Sequence, residues 1–522
     1  MLKISYLFKA LYLFVVIIFS LTACEKVSPP NSVVQEAPKV EVRDKNSIDL
    51  MKRVKRLRLE NGMTILLLKR EGAPIFSAAV RVIVGNVEEE DGSYGLAHFF
   101  EHMAFKGTKK VGTKDFEKEK IILEGIEKTG SQLVDLFTAG KTDAKYNKLK
   151  EKLRGLQKQA EEIQLKNEFV EIFQRNGGFD VNAQTSNDFT VYTVSLPSSK
   201  LELWAYLESM RLAEPILRGF FKEVDVVLEE RRMRVDNSPN GLLIEKFLKT
   251  AFDKSNPYHE MVIGPSKDIA VYTPQKAKTF FQKYYTPSRI VLAVVGNFDM
   301  DQAENIMNKY FGAVPAGTPV PLKEKTAQVT QHKEFPRKVI LEREDRPRFY
   351  LAYHRPSYDS PDDLVLDYVQ EILCGGRTSR LYKKLVLEEK KAAAVTCYAA
   401  FPGFRMPTLF TFYAMPYADY SNEALKKDIE KEINKLIVEG PTKEEMQQIL
   451  NKLDANLIYS LESNKGLAAK LTFFEALTGR WEYLYDQQKQ FHQVTPADIQ
   501  RVAKKYFVPE GEVMGALETS NK

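Results

Sequence analysis

Two stretches of this chain follow one plan far apart in sequence. Pro274–Tyr284 has helical periodicity and runs through Tyr285-Thr286-Pro287 into the apolar segment 290–295. Pro496–Tyr506 has the same periodicity and runs through Phe507-Val508-Pro509 into a final strand through Val513. A helix that enters a proline turn and then a strand, twice over, constrains the chain to a duplicated unit of mixed secondary structure. The 522 residues are enough for two such units. Around the first copy lie a hairpin signal at Asn61-Gly62, strands over 77–84 and 190–196, and helices over 95–105, 203–212, 222–234 and 301–310. Around the second lie strands over 348–354 and 409–415 and helices over 363–373 and 422–438. The expected fold is α+β: two homologous α/β-roll units, each a mainly antiparallel sheet covered by helices. The units span 51–315 and 339–522, joined by a Pro-, Gly-, Lys- and Thr-rich linker over 316–338.

One segment fits neither copy. Leu149, Leu153, Leu156, Ala160 and Ile163 form a heptad seam on a helix rich in Lys, Glu and Gln, with Gly177-Gly178 ending it. The spacing predicts a helical hairpin over about 118–176, inserted in the first unit. It is either a solvated arm packed on its own domain or a docking arm for a partner.

Residues 1–23 read as a signal peptide: Lys3 and Lys9 precede an unbroken apolar run over 10–19, too short for an ordinary membrane span. Leu21-Thr22-Ala23-Cys24 resembles the lipobox of bacterial lipoproteins, where the cysteine becomes the acylated N-terminus; the alternative is an ordinary cleaved signal. Residues 24–50 lack apolar periodicity and read as a flexible tether reaching roughly 25–30 Å. The expectation is a body held at the periplasmic side of the cell envelope through Cys24, with Glu25 weakly favouring the outer membrane. A net charge of +6, from 76 basic and 70 acidic residues, gives no electrostatic case for nucleic acid. Three cysteines exclude a disulfide scaffold and a four-thiolate zinc site; Cys374 and Cys397 can pair outside the cytoplasm or remain buried thiols. No phosphate-binding loop, nucleophile elbow or dinucleotide fingerprint occurs.

The chemistry sits in residues 95–108, GLAHFFEHMAFKGT. His98 and His102, four apart, share one helix face and can both reach one ion, with Glu101 bordering that face. The order His98-Phe99-Phe100-Glu101-His102 inverts the His-Glu-x-x-His zinc-protease motif. A catalytic zinc takes three protein ligands and keeps one open position. Glu223 and Glu230, two helical turns apart, share a face, so Glu230 can serve as third ligand with Glu223 supporting a ligand from behind. His259, His332, His354 and His492 are isolated in sequence.

These segments, with the two-unit layout, resemble the insulinase/pitrilysin family of zinc metallopeptidases, of the processing-peptidase type, over residues of about 50–515. The resemblance implies one zinc per chain held by His98, His102 and Glu230, with Glu101 as general base and Glu223 as supporting carboxylate. It implies that Asn182-Ala183 on an edge strand binds substrate backbone. The activity implied is that of a periplasmic endopeptidase acting on peptides or unfolded segments; the alternative is a catalytically silent assembly or peptide-binding subunit of the same fold. Self-sufficient relatives carry an Arg and a Tyr on a helix of the second half. Here Val386 and Ala393, read as lying on a helix over 385–395, occupy those positions. The chain is therefore expected to be the metal-bearing member of a pair whose homologous partner supplies Arg and Tyr, or else a homodimer using other donors, with Arg377 and Arg380 nearest in sequence.

Overall fold

The computed structural model describes residues 53–323 and 337–520. The expected signal, Cys24, the tether and most of the linker lie outside the described residues.

The first sheet holds β1 (Val54–Arg58), β2 (Thr64–Lys69), β3 (Ile75–Val82), β4 (Phe179–Thr185), β5 (Thr190–Pro197) and β6 (Ile290–Gly296), in the order β1-β2-β6-β3-β5-β4. The second holds β7 (Arg337–Arg343), β8 (Arg348–Arg355), β9 (Ala392–Phe401), β10 (Thr408–Pro416) and β11 (Glu512–Thr519), in the order β7-β11-β8-β10-β9. Each contains a single parallel pair, β2 with β6 and β7 with β11, and is otherwise antiparallel. Apart from β1, the two orders correspond strand for strand, so the repeat seen in sequence is a repeat of topology. Arg337 and Lys338, assigned by sequence to the linker, belong instead to β7, where they pair with Val513 and Met514.

The helices that matter for the site and its support are α1 (Leu96–Met103), α2 (Phe116–Thr138), α3 (Ala144–Ile163), α4 (Phe220–Arg231), α5 (Pro239–Ala251), α6 (Pro274–Tyr284), α7 (Asp363–Cys374), α8 (Asn464–Thr478) and α9 (Pro496–Tyr506). The inserted hairpin is α2 and α3. Ile126 and Leu133 meet Leu153 and Ala160 in a small core of their own, so the heptad seam is used within the hairpin. Its end is earlier than the sequence suggested. The chain leaves α3 at Gln164 with extended backbone, and Gly177-Gly178 instead follow a separate helix over Glu168–Arg175.

The central strands read as continuous apolar runs because both faces of each sheet are buried. In β2, Ile65 and Leu67 enter the main core of the first unit, while Leu66 and Leu68 point to the opposite face. That opposite face is covered by α8, through Leu467, Leu471 and Phe474, a helix that comes from the second half of the chain. The exchange is reciprocal. Helix α5, from the first half, lays Leu243, Phe247 and Leu248 on Tyr350, Val513 and Leu517 of the second sheet. Gly515 makes room for it, since a Cβ there would come within 3.0 Å of Phe247.

Polar contacts tie the same seam. Arg405 donates to Glu88 Oε1 at 2.9 Å, and Asp188 accepts from the Tyr258 hydroxyl and from the Phe404 amide, each at 2.6 Å. Cys374 at the end of α7 and Cys397 on β9 form a disulfide, Cα–Cα 5.7 Å, which resolves the alternative left open by sequence.

Candidate metal centre

Helix α1 begins at Gly95, whose φ of 94° lies in the left-handed region and whose Cβ, if present, would stand 2.4 Å from the Ile263 carbonyl oxygen. The buried Glu89 carboxylate accepts from the amides of Gly95, at 2.7 Å, and Ala97, at 2.6 Å, and so caps the helix. Burial nevertheless pushes Glu89 up to about 8, against those two donors. Leu96, Phe99, Phe100 and Met103 anchor α1 in the core. Phe99 packs edge-on against Phe220 at the start of α4, ring centres 4.9 Å apart. With the apolar stripe so placed, His98, Glu101 and His102 face α4 and the edge strand β4.

Glu230 comes to meet the histidines. Its Oε1 lies 3.7 Å from His98 Nε2 and its Oε2 3.6 Å from His102 Nε2. One donor atom from each of the three residues falls within 4.8 Å of the others. These separations are too long for hydrogen bonds. They are close to the edge of a tetrahedron with bonds of 2.0–2.2 Å, about 3.4 Å. Two imidazoles and one carboxylate are a donor set that suits zinc, so the residues fit the ion implied by the motif. Burial, with smaller contributions from His102 and Arg234, holds His98 down to about 3, so it stays neutral with a lone pair to offer.

Glu223 stands behind His102, with Oε1 2.9 Å from Nδ1. Burial opposes its charge, but His102 and the ammonium of Lys106, 2.5 Å from Oε2, outweigh that and hold it down to about 2. Burial likewise disfavours charged His102, yet Glu223, Glu230 and Glu101 together raise it above the ordinary histidine value.

Glu101 is nearly buried, and burial raises its carboxyl above the ordinary range, with Thr185 and His102 pulling the other way. The Thr185 hydroxyl donates to Glu101 Oε2 at 2.7 Å. Thr185 ends β4, the outer strand of the first sheet, three residues after Asn182. Along β4, Asn182 is exposed and Ala183 is buried in the core, as the pleat requires.

Sequence reasoning missed four supporting residues: Glu89, Lys106, Thr185 and Arg234, whose Nη1 lies 2.6 Å from Glu230 Oε1. Lys106 and Arg234 stand four after His102 and Glu230, a helical spacing that carries a signal in hindsight. Thr185 and Glu89 carry none. The expected donor positions need correction. Val386 lies in a π-helical turn, Tyr382–Glu388, and Ala393 on β9, so no single helix holds both. Arg380 is committed to Glu445 through two hydrogen bonds of 2.7 Å, whereas Arg377 is exposed. Outside the site, His259 Nδ1 pairs with the Phe252 carbonyl and His492 with Asp454; His332 lies outside the described residues.

The model described as "Insulinase (Peptidase family M16)" matches residues 64–144, which include the whole of α1. That described as "Peptidase M16 inactive domain" matches residues 272–453. This chain belongs to the insulinase family of peptidases. Among relatives, the zinc protease PqqE of Helicobacter pylori is 26% identical over 458 residues, 86% of this chain and 89% of that one. The uncharacterized zinc protease YmxG of Bacillus subtilis is 22% identical over 465 residues, 88% and 96% of the two chains. A crystal structure of a protease from Helicobacter pylori superposes with a TM-score of 0.74 at 24% identity, covering 89% of this chain and 99% of that one. The first half of the periplasmic protease PqqL from Escherichia coli gives 0.65 at 19% identity, covering 90% and 92%. Within this insulinase-family chain, α7 follows β8 and precedes β9 in the second unit, as α1 follows β3 and precedes β4 in the first. It carries no histidine.

Proposed function

We propose that this chain is a zinc endopeptidase, and that it cleaves peptides or unfolded segments at the periplasmic face of the cell envelope. One observation carries the reading: His98, His102 and Glu230 converge on one point, while Glu101 beside them is hydrogen-bonded to the outer strand of the sheet. The zinc protease names of the relatives support it. The match described as inactive domain falls largely on the unit without the ligand set, so it does not favour the silent-subunit alternative.

The residues divide the work. Among the described residues the outer edge of strand β4 pairs with no other strand, so an extended peptide can add there, with Asn182 on its exposed side and Ala183 set into the sheet. A bound zinc ion would supply Lewis-acid activation of water and of the scissile carbonyl. Glu101 takes the proton from the attacking water and returns it to the leaving amine, and the Thr185 hydroxyl fixes which of its oxygens is free to do so. Glu223 sets the His102 tautomer by accepting from Nδ1, leaving Nε2 as the ligand atom. Neither Val386 nor Ala393, the positions at which the resemblance places Arg and Tyr, can donate a hydrogen bond, which supports a homologous partner chain bearing Arg and Tyr, or a second copy using Arg377. The Cys374–Cys397 disulfide suits an oxidising compartment. Anchoring through acylated Cys24 is part of the same proposal.

The test is turnover of an unstructured peptide by the purified chain, alone and mixed with a homologous Arg/Tyr-bearing chain. Glu101→Gln should abolish cleavage in both settings. Cleavage that survives Glu101→Gln would remove the reading; full activity of the chain alone would remove its two-chain part.

A further inference from the structure

Two of the three candidate ligands have a charged side chain behind them, and only one of those supports, Glu223, belongs to the resemblance given above. His102 is held by Glu223, which Lys106 holds in turn. Glu230 is held by Arg234. The residue lies one turn beyond it, where α4 gives way to a π-helical turn over Arg232–Asp236. Its Nη1 sits 2.6 Å from Glu230 Oε1. The Glu230 side chain is 12% exposed and that of Arg234 is 44% exposed, so the guanidinium reaches the carboxylate from the solvent edge of the site.

A glutamate carboxylate turns freely about its last torsion, which has broad minima. An ion pair on one oxygen limits that freedom and biases the direction of the other. Here the oxygen paired with Arg234 is Oε1, which also lies 3.7 Å from His98 Nε2, and the one left without a cation is Oε2, 3.6 Å from His102 Nε2. We propose that Arg234 is the positioning residue of Glu230, holding Oε1 so that Oε2 is presented to the metal. The inference rests on the zinc-peptidase reading above and adds to it a residue outside the motif. It also separates two opposing effects. As a positioning group, Arg234 strengthens metal binding; as a bare positive charge beside a dication, it would weaken it. The sign of the change on removing it decides which role it has.

The experiment is a zinc titration of the metal-free protein against a competing chromogenic chelator, for wild type, Arg234→Ala, Arg234→Gln, Arg234→Lys and Glu230→Ala. Loss of a group that orients a ligand typically costs 10–100-fold in metal affinity. Arg234→Ala and Arg234→Gln should weaken zinc binding by about that factor, and Arg234→Lys by less, since it keeps the charge without the planar fork. The metal-free melting temperature should stay where it is in wild type, because the side chain is largely at the surface. Should Arg234→Ala fold poorly, Arg234→Gln of similar length carries the test. Unchanged or tighter zinc binding in the Gln variant would overturn the proposal. Absence of zinc binding in wild type, equal to that in Glu230→Ala, would instead defeat the zinc-peptidase reading beneath it.

Discussion

Phe247→Ala tests whether the two halves of the chain are one folding unit. Phe247 belongs to α5 of the first half but is fully buried against the second sheet, its ring 5.5 Å from that of Tyr350 and its Cβ against Gly515. Truncating a fully buried phenylalanine costs about 3–5 kcal/mol. Unfolding entropy is roughly 2.1 cal/mol/K per residue, so about 450 described residues melting together carry about 0.95 kcal/mol/K, and the loss lowers one shared transition by about 3–5 °C. A second unit of about 180 residues melting alone would carry about 0.4 kcal/mol/K, and its own transition would drop by roughly 8–13 °C while the first stayed in place. Leu471→Ala, on the helix that the second half lends to the first sheet, is the mirror experiment, with an expected loss of about 2–5 kcal/mol. Calorimetry of chelator-treated protein, which keeps metal binding out of the comparison, distinguishes the cases. Both variants should lower a single transition by a few degrees. Two transitions, with Phe247→Ala moving only one of them by ten degrees, would refute the cross-braced arrangement.

Glu89 gives a pH dependence. Its carboxyl is raised to about 8 in the folded chain from an ordinary 4.5, so the folded state holds a proton that the unfolded state has released, and stability falls as pH rises from about 4.5 to about 8. Glu89→Gln should flatten that part of the stability profile, and an unchanged slope would show that other groups set it. Thr185→Val removes the hydroxyl that donates to Glu101 and should cut peptide turnover by roughly 10–100-fold, the equivalent of about 1.5–3 kcal/mol, while zinc content stays constant. Wild-type turnover in that variant would remove Thr185 from the mechanism. Cys24→Ser should abolish acyl labelling and release the body from the membrane fraction; a wild-type protein that is already soluble and unacylated would contradict the anchor.

The sequence was most readable where a short-range period decided the outcome. His98, Glu101 and His102 lie within five residues on a helix whose apolar stripe is unmistakable, and Glu223 and Glu230 repeat at two turns. The buried strands β2 and β6 were visible as apolar runs, but what covers their outer face was not, because α8 comes from the far half of the chain. The run Ala392-Ala393-Ala394-Val395 reads as helix by propensity and lies on the edge strand β9 in the fold. Pairing of Ala394 and Val395 with Met415 and Ala414, and the bridge from Cys397 to α7, override the alanines. Arg380 looked available as a donor because its partner, Glu445, is 65 residues away. Thr185 reaches Glu101 across 84 residues, a contact that exists only once β4 is laid at the edge of the sheet.

The proposed peptidase depends on His98, His102 and Glu230 forming one zinc site. Metal analysis of the purified wild-type chain, with His98→Ala, His102→Ala, Glu230→Ala and Glu101→Gln alongside, tests it most directly. About one zinc should be found per wild-type chain and per Glu101→Gln chain, with a strong loss in each of the three ligand variants. Full zinc retention in Glu230→Ala, or loss of zinc in Glu101→Gln to the level of the histidine variants, would contradict the assignment of ligands and base.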